Sequence, residues 1–128
     1  IILRVSAEEY VEDGNSPEDL VNIINLVKDE GLDIINVSSG AVVPAKIDIY
    51  PGYQIRFAET IKEGVNLPVI GGGLITHPEM AEEILKNHRS DLIYLGRELL
   101  RNPYWPLKAS RTLNHNIDWP LQYERSKL

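Results

Sequence analysis

A chain of 128 residues, 43% of them hydrophobic, is long enough to bury one modest core. Nineteen acids against 13 Lys and Arg leave a formal net charge of -6 with no basic cluster, which disfavours a nucleic-acid partner. The chain has no cysteine, so neither a disulfide framework nor a thiolate metal site is available, and no apolar run approaches the roughly 18 residues of a membrane span.

Ile1–Ser6 reads as a buried strand. The chain starts inside this apolar run without a leading methionine, so a fragment of a longer protein is expected. Arg4 is unusual inside such a strand, because a charge there needs a partner: a ligand, or a carboxylate such as Glu8 or Glu9. Ala7–Ser16 is a polar loop with an Asp13-Gly14 turn signal. Ser16, Pro17, Glu18 and Asp19 make a helix start, with a cap, a proline and acids in the first turn. Leu20, Ile23, Ile24 and Val27 follow at helical spacing as its apolar stripe, and Gly31 ends it.

Leu32–Val37 is the second strand, closed by Ser38, Ser39 and Gly40, small residues that suit the floor beneath a flat ligand or an ordinary turn. Ala41–Gly52 is long for a connection between strand and helix, and such loops commonly carry function. The next helix spans Tyr53–Glu63, with Ile55, Ala58 and Ile61 toward the sheet and Gln54 and Arg56 exposed. Leu67–Ile70 is the third strand, ahead of Gly71-Gly72-Gly73. Thr76 or His77 caps a helix whose stripe is Met80, Ala81, Ile84 and Leu85. His77 and His88 read as surface or capping residues, since no second ligand has metal-binding spacing. Leu92–Leu95 is the fourth strand, followed by Gly96-Arg97, a helical turn at Glu98–Leu100, a helix over Tyr104–Leu113 and an aromatic tail.

Strand, glycine turn, helix, strand, glycine, helix is the layout of a parallel α/β sheet or barrel. Glycines past adjacent strand ends, beside a helix start, let backbone N–H groups hold a phosphate. A complete (β/α)8 barrel needs about 250 residues. Four strands and three clear helices therefore read as half of one: residues 1–113 as the half barrel and 114–128 as a tail.

The segments RVSAEEY (Arg4–Tyr10), INVSSGA (Ile35–Ala41), YPGYQIRFAE (Tyr50–Glu59), VIGGGLI (Val69–Ile75), MAEEIL (Met80–Leu85), LGRELLRNPYW (Leu95–Trp105) and QYER (Gln122–Arg125) follow in order. As a set they closely resemble the old yellow enzyme family of FMN-dependent ene-reductases, in its bacterial NADPH dehydrogenase branch. The resemblance covers essentially the whole chain and implies the carboxyl-terminal half of a (β/α)8 TIM barrel, strands five to eight.

It implies bound FMN, NADPH as reductant, and reduction of the activated C=C bond of an α,β-unsaturated carbonyl compound. It places Arg4 on the N1 side of the flavin, where a cation stabilises the anionic reduced ring. Ser39 and Gly40 then lie near the flavin, and Gly72, Gly73, Gly96 and Arg97 form the phosphate clamp. Arg125 in the tail becomes the residue that reaches a neighbouring subunit's active site.

The family's substrate-anchoring histidine pair, its proton-donating tyrosine and the flavin-tuning cysteine of this branch belong to the amino half. Neither Tyr50 nor Tyr53 matches the proton donor. The expected partners are therefore that amino half or a second copy, within a cytoplasmic homo-oligomer that acts on a small molecule and uses no metal, nucleic acid or membrane. The 128 residues by themselves are expected to be inactive. The competing reading is a non-catalytic phosphate-binding scaffold, or another phosphate-ligand barrel such as an isomerase or aldolase. Arg4 speaks against the scaffold, and the absence of lysine from the four strands against a Schiff-base aldolase.

Overall fold

Each apolar run becomes a strand whose side chains alternate between two faces. The computed structural model describes residues 1–127. Strands β1 (Ile2–Ser6), β2 (Ile34–Ser38), β3 (Val69–Gly71) and β4 (Leu92–Ile93) form one sheet, all parallel and in chain order. Parallel neighbours need a crossover, and the helices α1 (Pro17–Val27), α2 (Ile55–Gly64) and α3 (Pro78–Lys86) provide them. Two helices follow β4: α4 (Arg97–Arg101) and α5 (Trp105–Thr112).

The face turned toward the helices carries the core. Val5, Ile35, Val37 and Val69 pack with Leu20 and Ile24 of α1 and with Phe57, Ala58 and Ile61 of α2. A second cluster joins Ile55, Ile75, Ala81 and Ile84 to Met80, Ile93, Leu95 and Trp105. Trp105 Nε1 donates to the Thr76 carbonyl at 2.7 Å, which pins α5 to the loop after β3. The opposite face carries Ile2, Arg4 and Ser6 of β1, in register with Ile34, Asn36 and Ser38 of β2; Ile70 then pairs with Asn36, and Leu92 with Ile70.

The start of α1 closes a capping box: Ser16 Oγ accepts from the Asp19 N–H at 3.2 Å, and the Asp19 carboxylate accepts from the Ser16 N–H at 2.9 Å. Its apolar stripe divides differently from the prediction. Leu20 and Ile24 are buried, but Ile23 is 45% and Val27 39% exposed, and Leu26 beside them is 84% exposed. Those three side chains are left largely open to solvent among the described residues.

Strand bounds also shift. β2 begins at Ile34 rather than Leu32, and β4 ends at Ile93 rather than Leu95. β4 is an edge, and β3 runs into glycines, so the ladder has no further partner; Tyr94 still donates its N–H to the Gly71 carbonyl at 2.8 Å. The histidines lie outside the core: His77 occupies the N-cap position of α3 without a side-chain bond, and His88 is exposed. Among the described residues no helix is long and apolar enough to cross a membrane.

Candidate functional site

The carboxyl ends of the four strands open onto a cleft of about 400 Å³. Arg4, Ser39, Gly40, Gly73, Gly96 and Arg97 all line it. These six predicted residues come from four separate strand ends, so the parallel order of the sheet is what gathers them.

Arg4 stands on the inner face of β1 and is exposed, because that strand is buried on its helix side only. Its guanidinium donates to Asn36 Oδ1, the residue opposite it in register on β2. The same guanidinium lies 5.1 Å from the centroid of the Tyr94 ring. The carboxylate partner proposed from sequence does not form. Glu8 accepts instead from the Tyr10 N–H at 2.9 Å, and Glu9 from the Asn15 side chain at 2.9 Å and its N–H at 3.0 Å. The Asn15 side-chain and backbone bonds hold the Glu9 carboxyl below its ordinary range.

Gln54 is also a correction. Expected on the surface, it is 4% exposed. Its amide bridges two strand ends: Nε2 donates to Ser39 Oγ at 3.1 Å, and Oε1 accepts from the Tyr94 hydroxyl. Ser39 Oγ also receives the Tyr10 hydroxyl at 3.0 Å. Burial pushes the Tyr94 phenol above its ordinary value against the pull of Arg4, so it stays protonated and serves as the donor. Neither Tyr94 nor Gln54 was singled out as a site residue from sequence. The signal available was the period-2 alternation that puts Tyr94 on the same face as Arg4.

At the other end of the cleft Gly73 has φ +103°, a conformation that disfavours any side chain, and it turns the chain past β3. Gly72 does not line the cleft. It lies beneath Tyr94, where an added Cβ would come within 2.5 Å of the ring atoms. Gly96 precedes α4 with open space around it, and Arg97 begins that helix. Glu98 also lines the cleft, but Arg101 takes it at 2.8 Å. Among the described residues neither Arg4 nor Arg97 makes an ion pair. A chain of net charge -6 thus turns two uncompensated cations and a glycine-lined backbone toward one cleft, a donor set suited to an anionic, phosphorylated ligand.

Arg125 lies apart from this cleft, exposed in a 3-10 turn at Glu124–Ser126. In the single chain the tail folds back on α5: the Tyr123 and Tyr104 rings meet edge to face at 4.9 Å, with their hydroxyls 2.9 Å apart. A larger cavity of about 590 Å³ lies between α5 and the tail, lined by residues such as Leu107, Lys108, Trp119 and Tyr123. It shares no residue with the strand-end cleft and gathers none of the predicted site residues.

Residues 1–116 match the NADH:flavin oxidoreductase / NADH oxidase family. Curated relatives include an NADPH dehydrogenase of Clostridium acetobutylicum, 55% identical over 127 residues, and one of Geobacillus thermodenitrificans, 51% identical over 125 residues. Each alignment covers 98% of this chain but 37% of the relative, so the chain spans little more than a third of their length. Among solved structures, a 2-naphthoyl-CoA reductase in complex with 2-naphthoyl-CoA superposes with a TM-score of 0.77 at 21% identity, covering 87% of this chain and 18% of that one. Histamine dehydrogenase from Rhizobium sp. 4-9 superposes with a TM-score of 0.72, also at 21% identity, over 87% of this chain and 16% of that one. At that identity these two speak to the fold: the chain is part of a (β/α) barrel.

Proposed function

The chain belongs to the NADH:flavin oxidoreductase / NADH oxidase family, and from that premise we propose that it is the FMN-binding wall of an NADPH-dependent ene-reductase. The substrate class is the α,β-unsaturated carbonyl compound with an activated C=C bond. The observation that carries the reading is the pair of cations, Arg4 and Arg97, lining one strand-end cleft, neither of them in an ion pair among the described residues.

The residues fit the cofactor. Arg97 and the N–H groups around Gly73 and Gly96 hold the phosphate, and Ser39 and Gly40 border the ring. Bound FMN supplies the hydride chemistry. Arg4 keeps a full positive charge on the N1 side, where negative charge grows as the ring is reduced. Residues 1–113 form the half barrel, and the tail 114–128 carries Arg125 to a neighbouring subunit. The proton donor and the substrate anchor come from the part of the relatives' length that this chain does not span, so the 128 residues by themselves should not turn over.

The test is an absorbance spectrum of the protein assembled to the full length of its relatives, followed by anaerobic NADPH and then cyclohexenone. A yellow protein that bleaches with NADPH and regains its colour with the enone supports the reading. Failure to take up FMN on reconstitution refutes it and favours a scaffold or another phosphate-ligand barrel.

A further inference from the structure

Among the described residues, the groups that hold Arg4 are neutral. One is the Asn36 amide and the other is the face of the Tyr94 ring, 5.1 Å away. Glu8 is engaged on the Tyr10 N–H, Glu9 on Asn15, and Glu98, which lines the same cleft, on Arg101. A carboxylate would grip a guanidinium more strongly than a ring face does, but it would also cancel the charge.

The ring is in turn braced. Its hydroxyl donates to Gln54 Oε1, Gln54 Nε2 donates to Ser39 Oγ, and Ser39 Oγ receives Tyr10. Gly72 leaves room for the ring to lie over the end of β3. Gln54 is nearly inaccessible to solvent, so its amide has little alternative to these partners.

We propose that Tyr94 is a positioning residue, whose braced ring holds the Arg4 guanidinium at the cleft without neutralising it and so raises the reduction potential of the bound flavin. This rests on the FMN reading above. The sign follows from charge: an uncompensated cation favours the anionic reduced ring over the neutral oxidised one, and a loosely held cation favours it less.

The experiment is the two-electron midpoint potential of the FMN-loaded, full-length enzyme in four forms: wild type, Tyr94→Phe, Tyr94→Leu and Tyr94→pentafluorophenylalanine. Tyr94→Leu removes the ring face and should lower the equilibrium constant for flavin reduction about tenfold, a shift of about 30 mV to more negative potential. Tyr94→Phe keeps the face and loses the brace, so its shift should be smaller. Pentafluorophenylalanine keeps the shape of phenylalanine but withdraws electron density from the face, and its potential should fall toward the leucine value. If the leucine variant does not fold, the last two decide the matter between them. Four equal potentials with stoichiometric FMN, or equal values for phenylalanine and its fluorinated form, overturn the proposal alone. A wild-type protein that takes up no FMN overturns the reading of the site and the proposal with it.

Discussion

Arg97 and Arg4 share a cleft but not a role. Arg97 begins α4 beside Gly96, whereas Arg4 lies on β1, two strands away from β3; on the proposed reading the first serves the phosphate and the second the flavin ring. A charge-assisted contact is worth about 1.5–3 kcal/mol, so Arg97→Ala in the full-length enzyme should weaken FMN binding by about ten- to a hundredfold. Arg4→Ala should instead slow flavin reduction by NADPH in stopped-flow traces. Unchanged FMN affinity in the first together with unchanged reduction in the second would sink both assignments. A third residue acts on stability. Asp91 accepts the Val69 N–H at 2.8 Å and pairs with Lys62, tying the start of β4 to β3 and α2. Burial pushes its carboxyl up, but the Lys62 and Val69 bonds outweigh that and leave it below the ordinary value. A lowered folded-state value means the contribution is complete above the unfolded value of about 3.9 and is lost as pH falls through the folded one. Asp91→Asn should therefore cost about 1–2 kcal/mol at pH 7, the side chain being partly solvent-screened, with no change in that cost down to about pH 5 and a decline below about pH 4. Urea unfolding across that range checks it; a cost that fades between pH 7 and 5 would point to another group.

At the level of elements, the close approach of the chain just past β3 to the residue just past β4 depends on a residue with no side chain. An alanine at Gly72 would drive its Cβ into the Tyr94 ring, and the ring cannot move without releasing Gln54. Gly72→Ala should cost about 1–3 kcal/mol as an overpacking change and reduce FMN affinity indirectly. Thermal unfolding beside flavin titration checks both, and a variant with wild-type stability would show that the ring has another place to go. Much of this architecture was legible in the sequence. Each strand announced itself as a short apolar run closed by glycine or small polar residues, and the cap at Ser16-Pro17 marked α1. Gln54 was not legible. It stands one place before the first turn of α2, where a glutamine faces water by default, and its partners lie 15 and 40 residues away in the chain. Tyr94 hid inside an apolar run, and the alternation that turns its ring inward with Arg4 becomes a usable signal only once the pairing of β4 with β3 fixes which face is which. The stripe of α1 misled for the opposite reason: periodicity marks apolar residues but not which neighbour covers them, so Ile23 and Val27 read as core.

The molecule as a whole exposes more surface than its size warrants. Its accessible area is 8345 Å², against about 6,900 Å² for a compact chain of this mass, an excess of about a fifth. That excess is well above the roughly 800 Å² that each partner loses in a standard-size stable interface. Its placement is specific: Ile2 and Leu92 on the inner sheet face, Ile23, Leu26 and Val27 along α1, and the open edges of β1 and β4. Open edges and apolar faces attract further chain, and in a barrel the remaining strands and helices cover both. Expressed by itself, the 128-residue chain should self-associate and bind a hydrophobic dye. Joined to the rest of the length its relatives possess, it should lose the dye signal and sediment as one defined species. Two further substitutions separate this from general stickiness. Leu26→Glu charges a residue that touches little within this chain, so it should leave the fold of the isolated chain intact while raising its solubility. If the rest of the barrel covers this flank as proposed, the same change in the full-length protein should bury a charge and destabilise by several kcal/mol. Glu30→Lys, on exposed polar surface just beyond α1, should be near neutral in both settings. An isolated chain that sediments as a dye-free monomer, or a Leu26→Glu full-length protein of wild-type stability, would mean that this surface faces water in the assembled enzyme as well.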